Sequence, residues 1–233
     1  MAEAAEIGLG VSVVIPALNE AGQIEGCIRS AREAGATEVV VCDGGSSDET
    51  VAIAEACGAK VFTAEAGRAV QQNTGAAAAA GDVLLFLHAD NRLSLGCLSQ
   101  VAEAMRDTRV VYGGFRQEII AAGLAYRVIE RGNAARLRLA GLAYGDQGIF
   151  VRRAVFDEVG GFPEVPLMED VRLMRKLAVH GRPVLLDGPI AVSARRWQRH
   201  GVVRQTLRNW SMLASHRLGV SPEMLARYYP RHG

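Results

Sequence analysis

A His-Ala-Asp turn closes the apolar run Leu84-Leu85-Phe86-Leu87-His88-Ala89-Asp90. A carboxylate at the C-terminal edge of a buried strand is where an open α/β sheet holds a cation and an anionic ligand. Asp is equally at home there for turn chemistry alone. A second acid, Asp43, ends Glu38-Val39-Val40-Val41-Cys42-Asp43 just before Gly44-Gly45-Ser46-Ser47-Asp48. From such a place Asp43 can accept a hydrogen bond from a base N–H or a ribose hydroxyl, whereas Asp48 reads as a helix-start residue. Gly67-Arg68 opens a helical stretch in which Arg68, Gln71, Gln72 and Gly75 share one side. An Arg at a helix N-terminus suits a phosphate, and a mid-helix glycine needs a packing or a ligand reason. Glu169-Asp170 puts two acids in the first turn of another helix, where the helix dipole alone already favours them. Asp146-Gln147 stand before a short strand, within reach of hydroxyls or merely solvated. Arg195-Arg196-Trp197 join two forked cations to an aromatic that anchors packing or stacks on a sugar.

These residues need a scaffold that gathers strand ends. Val11–Pro16, Glu38–Asp43, Ala59–Thr63 and Val83–Leu87 read as buried strands. Helices are predicted between them over Gln23–Glu33, from a Ser46/Glu49 capping box to Cys57, and over Gly67–Ala80. Short β-α alternation with near-continuous apolar strands predicts an α/β fold with a mostly parallel sheet and helices on both faces. The alternation breaks after Asp90. A helix near Ser94–Met105, a strand near Arg109–Ile119, a long helix over roughly Gly123–Leu142 and a strand over Gln147–Val151 follow. Then come a helix over Glu169–His180, two short strands at Pro183–Leu186 and Ile190–Ala194, and a helical tail from Val202. No linker rich in Pro, Gly or Ser interrupts the chain. Residues 1–233 are expected to form one domain, with halves of about 11–92 and 93–200 meeting near Asp90 and a basic tail over 201–233.

The chain has 233 residues, of which 49% are hydrophobic, enough for a sizeable core. A net charge of +1 gives no global field toward nucleic acid. Cys27, Cys42, Cys57 and Cys97 form no C-x-x-C pair and read as small buried residues in a reducing compartment. Met1 to Gly10 carries acids and no apolar core, unlike a signal peptide, and no apolar run is long enough to span a bilayer. A cytoplasmic protein is the expectation.

The ordered set Val13-Val14-Ile15-Pro16-Ala17-Leu18-Asn19-Glu20, Asp43-Gly44-Gly45-Ser46-Ser47-Asp48-Glu49-Thr50, Gly67-Arg68 with Asn73 and Gly75, and Phe86-Leu87-His88-Ala89-Asp90 resembles glycosyltransferase family 2. The likeness continues through Gly145-Asp146-Gln147-Gly148, Gly160-Gly161-Phe162-Pro163, Met168-Glu169-Asp170 and Ser193-Ala194-Arg195-Arg196-Trp197, spanning roughly residues 11 to 210. Within the family the chain is most similar to the small soluble group called selenodomain-associated transferase 2. The resemblance implies the GT-A fold, a Rossmann-like, mostly parallel central sheet flanked by helices with a smaller acceptor-side region. It implies an inverting hexosyltransferase that moves a sugar from a nucleoside diphosphate, usually UDP, to a hydroxyl acceptor. Pro16, Ala17, Asn19, Glu20, Asp43, Arg68, Asn73, His88 and Ala89 would then meet the nucleotide. Asp90 would hold Mn2+ or Mg2+, Asp170 would be the general base, and Glu169 would orient the loop or the acceptor. Asp146, Gln147, Arg195, Arg196 and Trp197 would stand near sugar, acceptor or pyrophosphate.

The chain departs from the family pattern twice. His88 occupies the place of the first acid of an Asp-x-Asp motif, where imidazole suits Mn2+ better than Mg2+ or is only a turn residue. Ser193 and Ala194 stand where larger, processive relatives carry the start of Gln-x-x-Arg-Trp, which argues against polymer extrusion. The divalent cation and an Arg would neutralise charge on the departing diphosphate, and a placed carboxylate contributes ~10²–10⁴-fold by taking the acceptor's proton.

From Arg195 onward the tail has eight arginines and one acid, Glu223. Such a helix either docks on the domain or lies on an anionic membrane, where a lipid-linked acceptor would be found. Two other functions remain open: sugar-1-phosphate nucleotidyl transfer, although its Gly-rich basic loop is missing after Ile15, and an inactive sugar-nucleotide sensor.

Overall fold

The computed structural model describes residues 9–228. The N-terminal residues read above against a signal peptide lie outside these up to residue 8, as does the tail beyond residue 228. Strands β1 (Val11–Ala17), β2 (Glu38–Asp43), β3 (Lys60–Thr63) and β4 (Val83–Phe86) alternate with helices α1 (Ala21–Glu33), α2 (Thr50–Ala56) and α3 (Arg68–Ala78). β5 (Asn91–Leu93), α4 (Cys97–Ala104), β6 (Val110–Ile119), α5 (Leu124–Ala140), β7 (Ile149–Arg152) and α6 (Arg153–Glu158) follow. The described chain closes with α7 (Glu169–Leu177), β8 (Arg182–Val192), α8 (Arg195–His200), α9 (Val202–Arg217) and α10 (Pro222–Tyr228).

The eight strands form one sheet in the order β3-β2-β1-β4-β7-β6-β8-β5. β3, β2, β1 and β4 are parallel, as their buried apolar runs predict. Beyond β4 the sheet is mixed: β7 runs antiparallel to both β4 and β6, and β5 antiparallel to β8. Alternate side chains of the central strands face opposite layers. Val13, Ile15, Leu85 and Leu87 join Ile24, Cys27 and Ile28 of α1. Val14, Val40, Leu84 and Phe86 face α3, Phe156, Phe162 and the apolar side of α7. Phe86 meets Phe162 edge to face at 4.8 Å, which ties the parallel half to the loop before α7.

Several boundaries differ from expectation for local reasons. The Ser46/Glu49 capping box does not form. α2 starts at Thr50, whose N–H is taken by Asp48, while Ser46 is turned back to Asp43. Pro183–Leu186 and Ile190–Ala194 are not two strands but one, β8, which crosses Gly188-Pro189 by a register shift against β6. α3 stops two residues before Ala80 because Ala79 is already extended. β5, α6 and α8 were not anticipated. All four cysteines are free, with Cys57 only half-buried. Among the described residues no helix is long and apolar enough to cross a membrane.

Candidate active site

A cavity of about 390 Å³ opens along one rim of the sheet. Its lining comes from the β1–α1 loop (Leu18, Asn19, Glu20), the start of α3 (Arg68) and the turn between β4 and β5 (His88, Asp90, Asn91). The turn before β7 (Tyr144, Gly145, Asp146) and the start of α7 (Glu169, Asp170) form the facing wall. α8 (Arg195, Arg196, Trp197, Arg199, His200) and α9 (Asn209, Met212, Leu213) complete it. The volume falls within the range of small-molecule sites.

The two acids at the rim are bridged by one cation. Arg195 lies 3.3 Å from Asp90 and 3.6 Å from Glu20. Burial, reinforced by Asp90, raises the Glu20 carboxyl above its ordinary value. Next to Asp90 the His88 ring is enclosed. Burial first, then the Arg68 guanidinium, push it down to about 3, so it is neutral at physiological pH. Its Nε2 has no partner among the described residues and lies against Gly145, where a Cβ would stand only 2.6 Å away.

Opposite them Asp170 is held by two backbone donors, Gly145 N–H to Oδ2 at 3.0 Å and Val171 N–H to Oδ1 at 2.7 Å. Burial, then the charge of Glu169, push the Asp170 carboxyl up to about 6. Glu169 itself is 3% exposed and is matched by Arg68 at 2.9 Å. Met168, immediately before α7, takes a left-handed conformation with φ 67°, uncommon for a residue with a side chain and a mark of a constrained site.

The turn carrying Gly145 is fixed from behind. The Arg136 guanidinium stacks 3.3 Å from the centre of the Tyr144 ring and donates to Gln147 Oε1 and the Leu142 carbonyl. The Asp146 carbonyl accepts from Asn91 and Gln117, while its buried Oδ1 has no partner among the described residues.

Of the residues singled out in the sequence, Asn19, Glu20, Arg68, His88, Asp90, Asp146, Glu169, Asp170, Arg195, Arg196 and Trp197 share the cavity. Pro16, Ala17, Asp43, Asn73, Ala89 and Gln147 do not line it. Asp43 is buried and its carboxylate takes the N–H groups of Gly45 and Ser46 and the Ser46 hydroxyl. Ser46 Oγ in turn accepts from the Asn19 N–H, so Asp43 shapes the loop that presents Asn19. Asn73 clamps the backbone of Phe162 from both sides. Gln147 sits within the Arg136 network. Trp197 packs edge to face on Tyr126 at 6.3 Å. The sequence reading missed Tyr144, Gly145, Arg199, His200 and the α9 wall. The basic run Arg195–His200 was a signal for Arg199 and His200, whereas a backbone N–H has no sequence signal.

Among the described residues no three His, Cys, Asp or Glu side chains converge into a ready-made metal cage. The donors present do fit a hard divalent cation of another kind. Such an ion takes one or two carboxylates from the protein and fills its remaining positions with substrate phosphates and water. Asp90 with Glu20 beside it offers that.

The family model described as "Glycosyl transferase family 2" matches residues 12–160. A glucosyl-3-phosphoglycerate synthase from Mycolicibacterium smegmatis is 38% identical over 100 residues, covering 38% of this chain and 33% of that protein. The chain thus spans about a third of the length of that curated relative. Among solved structures, S. aureus TarS 1-349 superposes with a TM-score of 0.64 at 19% identity, over 80% of this chain and 61% of that one. Glucosyl-3-phosphoglycerate synthase from Mycobacterium tuberculosis, in complex with Mn2+, UDP and glucosyl-3-phosphoglycerate, gives a TM-score of 0.57 at 22% identity, over 79% of this chain and 71% of that one. These likenesses show that the expected GT-A fold is the one adopted.

Proposed function

The chain belongs to glycosyltransferase family 2, and from that premise we propose that it transfers a sugar from a UDP-linked donor to a hydroxyl acceptor with inversion at the anomeric carbon. The observation that carries this reading is that Asp90 and Asp170, from opposite halves of the chain, open onto one cavity together with Arg68 and Arg195. A UDP-linked donor is supported by the mycobacterial synthase bound to UDP.

In this reading the diphosphate lies against the corner formed by Asp90 and Arg195. Asp90, next to the neutral His88 ring, would hold a divalent cation, which would supply neutralisation of the leaving phosphate. Arg195 and Arg68 add forked donors for phosphate oxygens. The acceptor hydroxyl faces Asp170. Each oxygen of that carboxylate accepts one backbone N–H and keeps a lone pair for a further hydrogen bond. A carboxyl raised to about 6 is still ionised at neutral pH and is a stronger base than a solvated Asp. Asp170 takes the hydroxyl proton as the acceptor oxygen bonds the anomeric carbon and the bond to the diphosphate breaks on the opposite face. Glu169, with Arg68, fixes the start of α7 and so the place of the base.

Titration with UDP in the presence of Mn2+, followed by turnover of UDP-sugars, tests this. Asp90→Ala is expected to lose metal-dependent UDP binding. Asp170→Asn is expected to keep binding and lose turnover by ~10²–10⁴-fold. A wild-type protein that binds no UDP with Mn2+ overturns the reading.

A further inference from the structure

Arg195 stands where a cation belongs. On the premise of the glycosyl transfer just described, Asp90 and Glu20 are the carboxylates that would take the divalent ion, and oxygens of both are already in use. Arg195 Nη2 lies 3.3 Å from Asp90 Oδ2 and 3.6 Å from Glu20 Oε2. Asp90 follows β4 and Glu20 precedes α1, so one guanidinium joins two loops at the strand ends.

A guanidinium and a divalent ion on the same pair of carboxylates repel one another. Water screens that repulsion only in part, because the Glu20 and Asp90 side chains are 28% and 29% exposed. The Arg195 side chain is 56% exposed, and its helix is anchored elsewhere, through Trp197 buried against Tyr126. The guanidinium can therefore leave the acids while α8 stays in place. It lines the same cavity as Arg68 and Asp170, where a bound diphosphate would offer oxygens as replacement partners. We propose that Arg195 is an exchangeable internal cation, which occupies Asp90 and Glu20 while nucleotide is absent and transfers to the diphosphate when metal and nucleotide are bound together. The consequence is a reversal of sign. Arg195 opposes binding of the metal alone and favours binding of UDP with the metal, so each ligand raises the affinity for the other. A residue that only supports the fold would move both affinities in one direction.

The test is titration of the full chain with Mn2+ alone, read by water-proton relaxation, and then with UDP at saturating Mn2+. Arg195→Ala is expected to bind Mn2+ alone about threefold or more tightly than wild type, and UDP with Mn2+ about tenfold more weakly. Arg195→Lys, which keeps the charge but not the fork, is expected to fall between. Arg199→Ala is the charge-matched control, because Arg199 lines the same cavity while Asp90 and Glu20 are held by Arg195. Its affinity for Mn2+ alone is expected to stay within about twofold of wild type. The proposal is overturned if Arg195→Ala binds Mn2+ alone no better than wild type, if both affinities move in the same direction, or if Arg199→Ala gains as much. Failure of UDP to bind wild type with Mn2+ removes the glycosyl-transfer reading and this proposal with it. UDP binding to wild type alongside an unchanged Mn2+ affinity in Arg195→Ala removes this one alone.

Discussion

The Arg68 guanidinium meets the Glu169 carboxylate at 2.9 Å, joining α3 of the parallel half to the helix that carries Asp170. Glu169 is almost fully buried while Arg68 keeps 42% of its side chain exposed, so the pair guards an acid that water cannot reach. Arg68→Ala leaves that acid uncompensated. We expect a loss of about 1–3 kcal/mol in denaturant unfolding, below the cost of breaking a fully buried pair because water reaches Arg68. Glu169→Gln should cost less, and the double variant should show coupling of about 1 kcal/mol or more. Additive losses would mean that the pair does not hold the two halves together.

Asp170 supplies a pH signature. Burial, then Glu169, push its carboxyl up to about 6. If it is the base, kcat/KM rises tenfold per pH unit below about 6 and levels above it, and Asp170→Asn abolishes that limb along with the activity. Stability follows the opposite course. A carboxyl raised in the folded state contributes stability that is fully present below its unfolded value, near 3.8, and lost as pH rises through about 6. The Tm of Asp170→Asn relative to wild type should therefore increase from pH 4 to about 6 and stay level beyond. A flat difference would show that Asp170 is not held in a buried, acid-shifting place.

Glu38 predicts the reverse pH dependence at the far edge of the sheet. Burial opposes its charge, but hydrogen bonds from Lys60, Ser12 and the Ala80 N–H outweigh it and hold the carboxyl down to about 2. The stability it contributes is present above about 4.5 and lost as pH falls toward about 2. Glu38→Gln should lower stability at pH 7 by about 1–2 kcal/mol and flatten the acid side of the melting profile. A profile that keeps its acid slope in the variant would assign that slope to other carboxylates.

Much of the parallel half was legible because parallel strands are buried on both faces and read as apolar runs. Asp90, Arg68 and Asp170 were legible as candidates only through the order of the family-like motifs, because an Asp at a strand end or in a first helical turn is ordinary by itself. Direction was not legible. Gly75 called for a packing or a ligand reason, and the reason is packing: a Cβ there would sit 2.5 Å from Val14 Cγ1. Gln71, on the same side of α3, is turned inward onto the carbonyls of Ala17 and Cys42. Asp43 and Asn73 have the residue types of ligand contacts, yet their hydrogen bonds go to neighbouring loops. Whether a polar residue at a strand end faces a ligand or its own loop is decided by tertiary geometry that spacing does not carry. The same holds for β8, whose Gly188-Pro189 reads as a break but is spanned by pairing with β6 on either side.

Gly145 separates fold from chemistry most sharply. Its N–H holds Asp170, and its Cα faces the enclosed His88 ring, with Nε2 2.6 Å and Cε1 3.0 Å from where a Cβ would stand. An imidazole packed beneath the turn cannot swing aside as the end of a long flexible chain would. In Gly145→Ala either the ring or the turn must move. Overpacking of this kind costs about 1–3 kcal/mol, which lowers the Tm without preventing folding. If Asp170 is the base, the larger effect falls on catalysis, because a displaced turn withdraws the donor that orients the Asp170 carboxylate and holds its pKa down. We expect kcat to fall by about tenfold or more, with the acid limb of the pH profile moved upward. Gly22→Ala is the matched control, since nothing lies within 4 Å of its added methyl. If Gly145→Ala lowers the Tm but leaves both kcat and the pH limb where they were, the Gly145 N–H does not position the base, and Asp170 must be oriented by Val171 alone.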